Sequence, residues 1–513
     1  MKSLIPDQVT DTGNYWCTWR TQSTVIGNKK LKKVHTDSIR DAMCEEFLFG
    51  EVGVLEHIDP AIRGDLIVVL DDGWDVPYGL FPSPANGGNE AYHQFGSLVL
   101  NEERFPSFRG KPEEKLRALN DRVKSLGYAG IGLWIAVQVP FCNTMHLTAD
   151  EARGYWEERL KWCVYADVKY WKLDWGGRCH DMEYRKMLFD CAKKYAPELK
   201  IEQAYTQPTF DVRFNEHETA AYEKRLEEIG FYLEHGDYFR VYDASPEFRY
   251  TTTLLRTIET FLSVKHDYVK AVSIPNVEDC VYIAAALGVT FGAMRHYYYE
   301  KNPEYHFAQS CKTPMTELKR AVMWQRIAPP FPINASFFEI NYEKYTDSYQ
   351  YPHIEGNPWP YKSDQLVVQD CYAGMSRNMP LPKIANASYD EKPCVVSSVN
   401  PYTKALSVFV VPRTIGGSIQ NSILADITVE GTDSRYPVGI FGKYKSLTIH
   451  FSDSVEKKRI CAQDLATECS VDITDLVERK GYTLKIAGEV IERIGLTVKE
   501  CETEMPGLMV VIK

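Results

Sequence analysis

Strand-like and helix-like segments alternate eight times between about residues 13 and 330, and this alternation constrains the fold more than any other feature. Residues 65–74, DLIVVLDDGW, form an apolar run of the kind that parallel sheets bury on both faces. Residues 111–127 carry apolar side chains at helical spacing. Such alternation implies a parallel sheet, and eight units predict an α/β fold, a (β/α)8 TIM barrel. The predicted strands are 14–21, 65–74, 130–140, 168–176, 199–206, 238–244, 269–276 and 289–297.

The pattern of predicted secondary structure changes after about residue 365. Segments such as ALSVFVVP, SLTIHF and GLMVVIK are short and strand-like, and turn-rich pieces separate them. This pattern predicts a C-terminal antiparallel β-sandwich domain. We therefore predict a catalytic barrel over residues 1–330, an irregular connector over 331–364 and the β-sandwich over 365–513.

Composition excludes several classes of protein. The net charge of -11, without basic blocks, argues against binding to nucleic acid or to an anionic membrane. No segment offers the roughly 20 apolar residues that span a bilayer, and the N-terminus lacks the apolar core of a signal peptide. The 13 cysteines are scattered without a CxxC pair, which favours reduced thiols over disulfides or a zinc site. We expect a cytoplasmic protein without metal or cofactor, and whether it forms a homo-oligomer stays open.

Polar and aromatic residues gather near the carboxyl ends of the predicted strands, where TIM barrels carry their chemistry. Lys172 and Asp174 lie two residues apart on strand 4, so strand alternation points both to the same side. Strand 8 ends near Arg295 and His296, and we expect these two residues to be structural. The candidate site residues are Trp16, Asp71, Asp72, Trp134, Lys172, Asp174, Glu202, Tyr205, Arg240 and Asp243.

Several carboxylates and tryptophans at one barrel mouth fit a carbohydrate site. Hydrolysis of a glycosidic bond needs a pair of carboxyl groups, one at the anomeric carbon and one that protonates the leaving oxygen. Other carboxylates and a lysine can bind sugar hydroxyls by charge-assisted hydrogen bonds. Aromatic faces pack on the apolar faces of sugar rings. The set therefore predicts an enzyme that acts on carbohydrate.

Three motifs resemble a known family. LDDGW at residues 70–74, GLWI at 132–135 and KLD at 172–174 look like the α-galactosidases of glycoside hydrolase families 27 and 36, in clan D, and their raffinose-synthase-like relatives. The resemblance covers the barrel and agrees with a trailing β domain. It implies a retaining exo-acting glycoside hydrolase that releases terminal α-galactose.

The resemblance also implies roles for the site residues. Asp174 would be the nucleophile and Asp243 the general acid/base, with Arg240 beside it. The substrate-binding residues would be Asp71 and Asp72 at the 4- and 6-hydroxyls, Lys172 beside the nucleophile, Trp16 and Trp134 as pocket walls, and Glu202 and Tyr205 near the 2-hydroxyl.

Two points differ from the family pattern. The segment RVYDAS around Asp243 has a different spacing, which leaves Asp237 as the alternative acid/base. Cys142 and Cys179 follow strands 3 and 4, where family 27 members carry a disulfide, but we expect free thiols in a reducing compartment.

Other functions remain open at this point. The same site could act on an α-N-acetylgalactosaminide or a β-L-arabinopyranoside, or could transfer galactose. Asp174 and Glu202 on successive strands could instead hold Mg²⁺, as in enolase-type barrels. The chain could also be an inactive sugar-binding barrel.

Overall fold

The computed structural model describes residues 2–22, 39–51, 53–80, 93–140, 148–204, 220–241, 248–265, 267–294, 315–350, 366–388, 391–415, 418–420, 423–498, 503 and 505–513. Eight parallel strands close into a barrel in chain order, which confirms the predicted TIM barrel. These strands are β1 Tyr15–Cys17, β2 Ile67–Leu70, β3 Gly130–Ile135, β4 Tyr170–Leu173, β5 Lys200–Ala204, β6 Tyr238–Arg240, β7 Ile274–Glu278 and β8 Thr290–Ala293.

The α-helices of the barrel region pack around the strands. The predicted helix over 111–127 forms at Pro112–Ser125, where proline occupies the first turn and Leu116, Leu119 and Val123 are buried. The α-helices are α1 Glu45–Phe49, α2 Pro60–Arg63, α3 Pro112–Ser125, α4 Ala149–Ala166, α5 Met182–Tyr195, α6 Ala220–Glu234, α7 Arg249–Leu262, α8 Val281–Leu287, α9 Met315–Gln325 and, in the C-terminal region, α10 Gly488–Gly495. Short 3-10 helices lie at Arg40–Ala42, Val54–Glu56, Ile333–Ala335 and Thr474–Leu476.

Tyrosines fill part of the barrel interior. Tyr15, Tyr170 and Tyr238 form one buried cluster with inward residues of neighbouring strands. Gly292 on β8 makes room for them, because a Cβ there would lie 2.5 Å from the ring of Tyr15. The alternate residues of each strand, such as Trp16, face outward into the larger core between strands and helices.

The C-terminal region contains two β-sheets that share a core, together with a small hairpin. The strands are β9 Phe338–Gln350, β10 Leu366–Arg377, β11 Lys383–Ala385, β12 Cys394–Val399, β13 Leu406–Val411, β14 Arg413–Ile415, β15 Ser418–Gln420, β16 Asp426–Glu430, β17 Val438–Phe441, β18 Ser446–His450, β19 Ile460–Asp464, β20 Val471–Asp472, β21 Glu478–Lys480, β22 Thr483–Ala487 and β23 Gly507–Ile512. The larger sheet has the strand order β20-β19-β23-β17-β13-β12-β10-β9, the smaller has the order β11-β16-β18-β22-β21, and β14 and β15 form the hairpin.

The C-terminal β domain agrees with the predicted architecture, but two details differ from the prediction. Strand pairs β10–β12, β13–β17 and β16–β18 are parallel, so the sheets are mixed rather than antiparallel throughout. The predicted irregular connector is wrong for Phe338–Gln350, because this segment is β9 and pairs antiparallel with β10. The boundaries at residues 330 and 365 stay predictions.

The larger sheet packs on the barrel through one of its faces. Trp324 of α9 and Ile283 of α8 share a buried core with Phe409 and Phe441 of that sheet. Buried polar contacts cross the same boundary, including a bidentate ion pair from Arg320 of α9 to Asp464 at the end of β19, at 2.8 and 2.9 Å. The C-terminal domain is therefore a structural support of the barrel helices.

No helix in these described ranges is both long and apolar enough to cross a membrane.

Candidate active site

Lys172 and Asp174 point to the same side of β4 and face the barrel mouth, as strand alternation predicts. The Lys172 Nζ atom lies 2.6 Å from Asp71 Oδ2 and 3.6 Å from Asp174 Oδ2. Register places Lys172 between Trp134 on β3 and Glu202 on β5. Burial lowers the pKa of Lys172, but the neighbouring acidic groups outweigh that effect and raise it above its ordinary value. The lysine is therefore a permanent cation beside Asp174.

The two carboxylate oxygens of Asp174 have different surroundings. Oδ2 accepts a hydrogen bond from Trp134 Nε1 at 3.0 Å and lies 4.0 Å from Arg240 Nη1. Oδ1 has no hydrogen-bond or ion-pair partner within the described ranges, and the side chain keeps 12% of its surface exposed. One oxygen is thus held by the protein, and within the described part of the chain the other oxygen can still accept a contact.

Arg185 of α5 fixes the backbone at Leu173 and Asp174. Its fully buried guanidinium donates to the carbonyl oxygens of Leu173 and Asp174, at 2.9 and 2.6 Å. It also donates to Gln203 Oε1 on β5 at 3.1 Å. These bonds satisfy carbonyl groups where β4 ends, and they restrain the position of the Asp174 side chain.

Asp71 and Asp72 lie at the mouth, as predicted, but both are engaged by protein groups. Asp71 Oδ2 accepts from Lys172 and from the Cys17 thiol at 2.9 Å, and burial raises the pKa of that thiol. Asp72 Oδ1 forms an ion pair with Arg40 at 2.7 Å. Burial raises the pKa of Asp72 against the opposing charge of Arg40. Binding of sugar hydroxyls by these two residues stays a prediction.

Aromatic side chains pack together beside Asp174, where Trp134 binds its carboxylate. Trp134 lies in edge-to-face contact with Trp175 and with Phe95, at ring-centroid distances of 5.1 and 6.3 Å. Arg40 covers Phe95 and Trp175. Trp16 is placed differently from the prediction, because it faces the outer core and is completely buried there. Phe95 and Trp175 pack on Trp134, and sequence reasoning missed these two neighbours. The role of Trp134 as a pocket wall stays a prediction, and the position of Trp16 in the outer core does not fit such a role.

Glu202 is bound by two tyrosines inside the barrel, and its binding of a sugar 2-hydroxyl stays a prediction. Its Oε2 accepts from Tyr170 Oη at 2.9 Å, and Tyr15 Oη lies 3.2 and 3.3 Å from its two oxygens. The residue is fully buried, and burial raises its pKa despite the nearby charges of Arg240 and Lys172. Both carboxylate oxygens of Glu202 are thus engaged by tyrosine hydroxyls, which counts against the enolase-type alternative.

Across the described ranges, no group of three or more His, Cys, Asp or Glu side chains could hold a metal ion.

Glu278 is a member of the site that sequence reasoning missed. It ends β7, and its Oε2 lies 3.0 Å from Arg240 Nη2. The predicted seventh strand ends at residue 276, so the sequence prediction places Glu278 in the following helix. The acidic pair Glu278–Asp279 directly after the apolar run is the sequence signal that could have identified it.

The remaining sequence predictions have three outcomes. Asp237, the alternative acid/base, precedes β6 at the opposite end of the barrel, where its carboxylate binds Lys193 Nζ at 2.6 Å. Cys179 forms no disulfide within the described ranges. Five predicted residues lie outside those ranges, so their roles stay predictions: Asp243, Tyr205, Cys142, Arg295 and His296.

Asp75 is a second acidic residue that sequence reasoning missed. Its Oδ2 accepts from the backbone N–H groups of Gly96 and Leu98, at 3.1 and 3.3 Å, in the loop that carries Phe95. Its Oδ1 is buried without a hydrogen-bond partner within the described ranges. Burial raises the pKa of Asp75 to about 6. Asp75 therefore fixes the loop that carries Phe95, although burial of its carboxylate charge is unfavourable.

We predict that Asp75→Asn removes a pH dependence of stability. Because the folded-state pKa lies above the ordinary value of 3.8, the contribution of Asp75 to the free energy of unfolding should fall as pH rises from about 4 to about 6 and then level off. Across that window the variant should gain about 3 kcal/mol relative to the natural protein. Urea denaturation at a series of pH values measures this difference.

The control for this prediction is Asp472→Asn. Asp472 is exposed, and hydrogen bonds from Thr474 lower its pKa to about 2. The natural residue should therefore stabilise the fold above its unfolded pKa and lose that effect as pH falls toward about 2, the opposite direction. If the difference in free energy of unfolding between Asp75→Asn and the natural protein does not change with pH, the account of Asp75 is wrong.

Comparison with known proteins leaves the family unassigned. No protein-family model matches the chain, and no curated protein matches it. Among solved structures, a family 27 β-L-arabinopyranosidase from Geobacillus stearothermophilus, an alanine variant in complex with arabinose, has 11% identity and a TM-score of 0.39, and the match covers 98% of this chain and 97% of that one. An α-galactosidase from Saccharomyces cerevisiae with raffinose has 9% identity and a TM-score of 0.35, with 98% of each chain covered.

Proposed function

We propose that this chain is a retaining exo-acting glycoside hydrolase that releases terminal α-galactose from oligosaccharides or glycoconjugates. The observation that carries the proposal is the environment of Asp174. Its Oδ2 is held by Trp134 and faces two cations, while its Oδ1 lacks a partner within the described ranges, beside packed aromatic rings at the barrel mouth. A carboxylate nucleophile needs this arrangement, because one oxygen must be oriented and the other must reach C1.

The charges around Asp174 support the same reaction. Three carboxylates, Asp71, Asp174 and Glu278, share two cations, Lys172 and Arg240, within one contact network. Fixed negative charge stabilises the positive charge that develops at the anomeric carbon in an oxocarbenium-like transition state.

The proposed mechanism has two steps. Asp174 attacks C1 through Oδ1 and forms a glycosyl ester, while Asp243 gives its proton to the departing glycosidic oxygen. Asp243 then removes a proton from water, which attacks C1, releases galactose and regenerates the Asp174 carboxylate. Trp134 would pack on the sugar ring and hold Oδ2, and Lys172 would donate to a sugar hydroxyl.

The first test is a comparison of 4-nitrophenyl glycosides. We expect turnover of the α-D-galactopyranoside to exceed that of the β-L-arabinopyranoside and the α-N-acetylgalactosaminide. Proton NMR of the first product should show α-galactose before mutarotation, because two displacements preserve the anomeric configuration. A β-anomer as the first product would contradict retention, and turnover of only the arabinopyranoside would contradict the choice of sugar.

A further inference from the structure

The carboxylate of Asp71 is almost fully used by neighbouring protein groups. Its Oδ2 accepts from Lys172 Nζ at 2.6 Å and from the Cys17 thiol at 2.9 Å. Its Oδ1 accepts from the backbone N–H of Asp72 at 2.8 Å. A carboxylate has about four acceptor positions, so only one position, on Oδ1, is left for a further donor.

Exposure separates Asp71 from the proposed nucleophile in the same way. The side chain of Asp71 exposes 4% of its surface, whereas that of Asp174 exposes 12%. Asp174 also keeps Oδ1 without a hydrogen-bond or ion-pair partner within the described ranges. A sugar hydroxyl thus finds a free oxygen on Asp174, while at Asp71 Oδ2 it would have to displace a donor that the protein supplies.

The end of β1 fixes Asp71 in this arrangement. Cys17 is the last residue of β1, faces the barrel interior and is completely buried. Burial and the adjacent Asp71 carboxylate raise the pKa of its thiol, so the thiol keeps its proton and donates to Oδ2. The hydroxyl oxygen of Thr18 accepts from the backbone N–H of Asp71 at 2.9 Å. Two consecutive residues therefore hold the side chain and the backbone of Asp71.

Lys172 has the opposite balance, because it carries more donors than the protein uses. An ammonium group has three N–H donors. In the described part of the chain Lys172 Nζ makes one hydrogen bond, to Asp71, and Asp174 Oδ2 lies 3.6 Å away, beyond hydrogen-bond distance. Asp71 thus fixes the position of the ammonium group and leaves donors for a ligand.

We propose that Asp71 is a positioning residue of the glycosidase site, fixed by the Cys17 thiol, which holds the ammonium group of Lys172 beside Asp174 and binds no sugar hydroxyl itself. This role differs from the one that the family resemblance implies, in which Asp71 binds a sugar hydroxyl. The inference rests on the proposed function, because it takes Lys172 to donate to the sugar. Asp71 acts through Lys172, and Cys17 acts through Asp71.

The functional test uses Cys17, because its substitution changes no charge. Cys17→Ala removes the donor to Asp71, and we expect kcat/KM for the 4-nitrophenyl α-galactoside to fall about 3- to 10-fold. Cys17→Ser keeps a donor, and we expect it to retain about half of the natural value or more. If Cys17 were only an apolar core residue, Cys17→Ala would be the milder of the two substitutions, and that order would overturn the inference.

A double variant tests whether the effect passes through Lys172. In the Lys172→Met background, Cys17→Ala should lower kcat/KM by no more than about twofold, because residues that act as a unit are not additive. The lysine charge is missing from both members of this comparison, so its loss does not enter the result. A further loss as large as in the natural background would show that Asp71 serves the substrate without Lys172, which contradicts the proposal.

A crystal structure of the natural protein with galactose tests the same claim without any variant, so it stands even if Lys172→Met folds poorly. We expect Lys172 Nζ to donate to a sugar hydroxyl while Asp71 keeps Cys17 and Lys172 as its Oδ2 partners. A sugar hydroxyl within hydrogen-bond distance of Asp71 would overturn the inference.

Failure of this inference is distinct from failure of the proposed function. If the natural protein hydrolyses the galactoside and Asp174→Asn does not, but Asp71 contacts the bound sugar, only the role of Asp71 is wrong. If Asp174→Asn is as active as the natural protein, the proposed function itself is wrong.

Discussion

Asp174→Asn is expected to reduce kcat for an α-galactoside by about 10³-fold or more. Asparagine keeps the size of the side chain and can still accept the hydrogen bond from Trp134 Nε1, which lies 3.0 Å from Oδ2. It cannot form the glycosyl ester, because an amide is a poor nucleophile at C1. Steady-state kinetics of the purified variant measure the loss.

The fold should survive this substitution. Lys172 and Arg240 keep their closer partners, Asp71 at 2.6 Å and Glu278 at 3.0 Å, so neither cation is left unpaired in the barrel. The thermal midpoint should therefore change little. The matched control is Asp190→Asn, which removes the same charge from an exposed pair with Lys186 on α5 and should leave kcat unchanged. Equal activity of Asp174→Asn and its control would contradict the assignment.

The second large effect concerns the boundary between the barrel and the C-terminal domain. Asp464→Asn should lower the free energy of unfolding by about 3–5 kcal/mol, because it leaves the Arg320 guanidinium buried with its charge uncompensated. Both side chains are nearly inaccessible, at 0% and 1% exposure, and the pair is bidentate. Asp464 also accepts from the backbone N–H of Thr497 at 3.0 Å, so the loss extends beyond one ion pair.

Urea denaturation of the variant measures this effect, and two further variants control it. Glu343→Gln breaks an exposed pair with Lys392 in the same domain and should cost no more than about 1 kcal/mol. The double variant Arg320→Met/Asp464→Leu removes both charges and should be less destabilised than Asp464→Asn, because no lone charge remains. Equal destabilisation by Glu343→Gln and Asp464→Asn would show that burial of the pair is irrelevant.

The sequence predicts the barrel well because parallel strands are continuous apolar runs between amphipathic helices. It predicts the inward direction of Lys172 and Asp174 because both lie on one face of β4. It fails for Trp16, since β1 is apolar on both faces and its alternation does not reveal which face is inside. Only the closed sheet shows that Tyr15 and Cys17 face inward and that Trp16 faces the helices.

Two other failures have different physical causes. The sequence predicts the seventh strand too early because Val269 and Val272 extend the apolar run, although both side chains are exposed in the structure. Glu278, which ends the observed strand, therefore falls outside the predicted one. The sequence does not predict strand β9 because its inward residues include Asp347, which interrupts the apolar pattern. In the structure Asp347 is buried through contacts with Arg413, Thr251 and the backbone N–H of Thr414. Long-range partners such as these are absent from any local pattern.

The most direct test of the central claim is covalent labelling of Asp174. A 2-deoxy-2-fluoro-galactosyl donor with a good leaving group should form a stable ester on the nucleophile, because fluorine at C2 destabilises the positive charge that later hydrolysis requires. Trypsin cleaves after Lys172 and Arg178, and the peptide between them, LDWGGR, carries Asp174 as its one acidic side chain. The account predicts that mass spectrometry finds the fluorosugar on this peptide. A label on any other peptide, or turnover of the donor without a label, would contradict it.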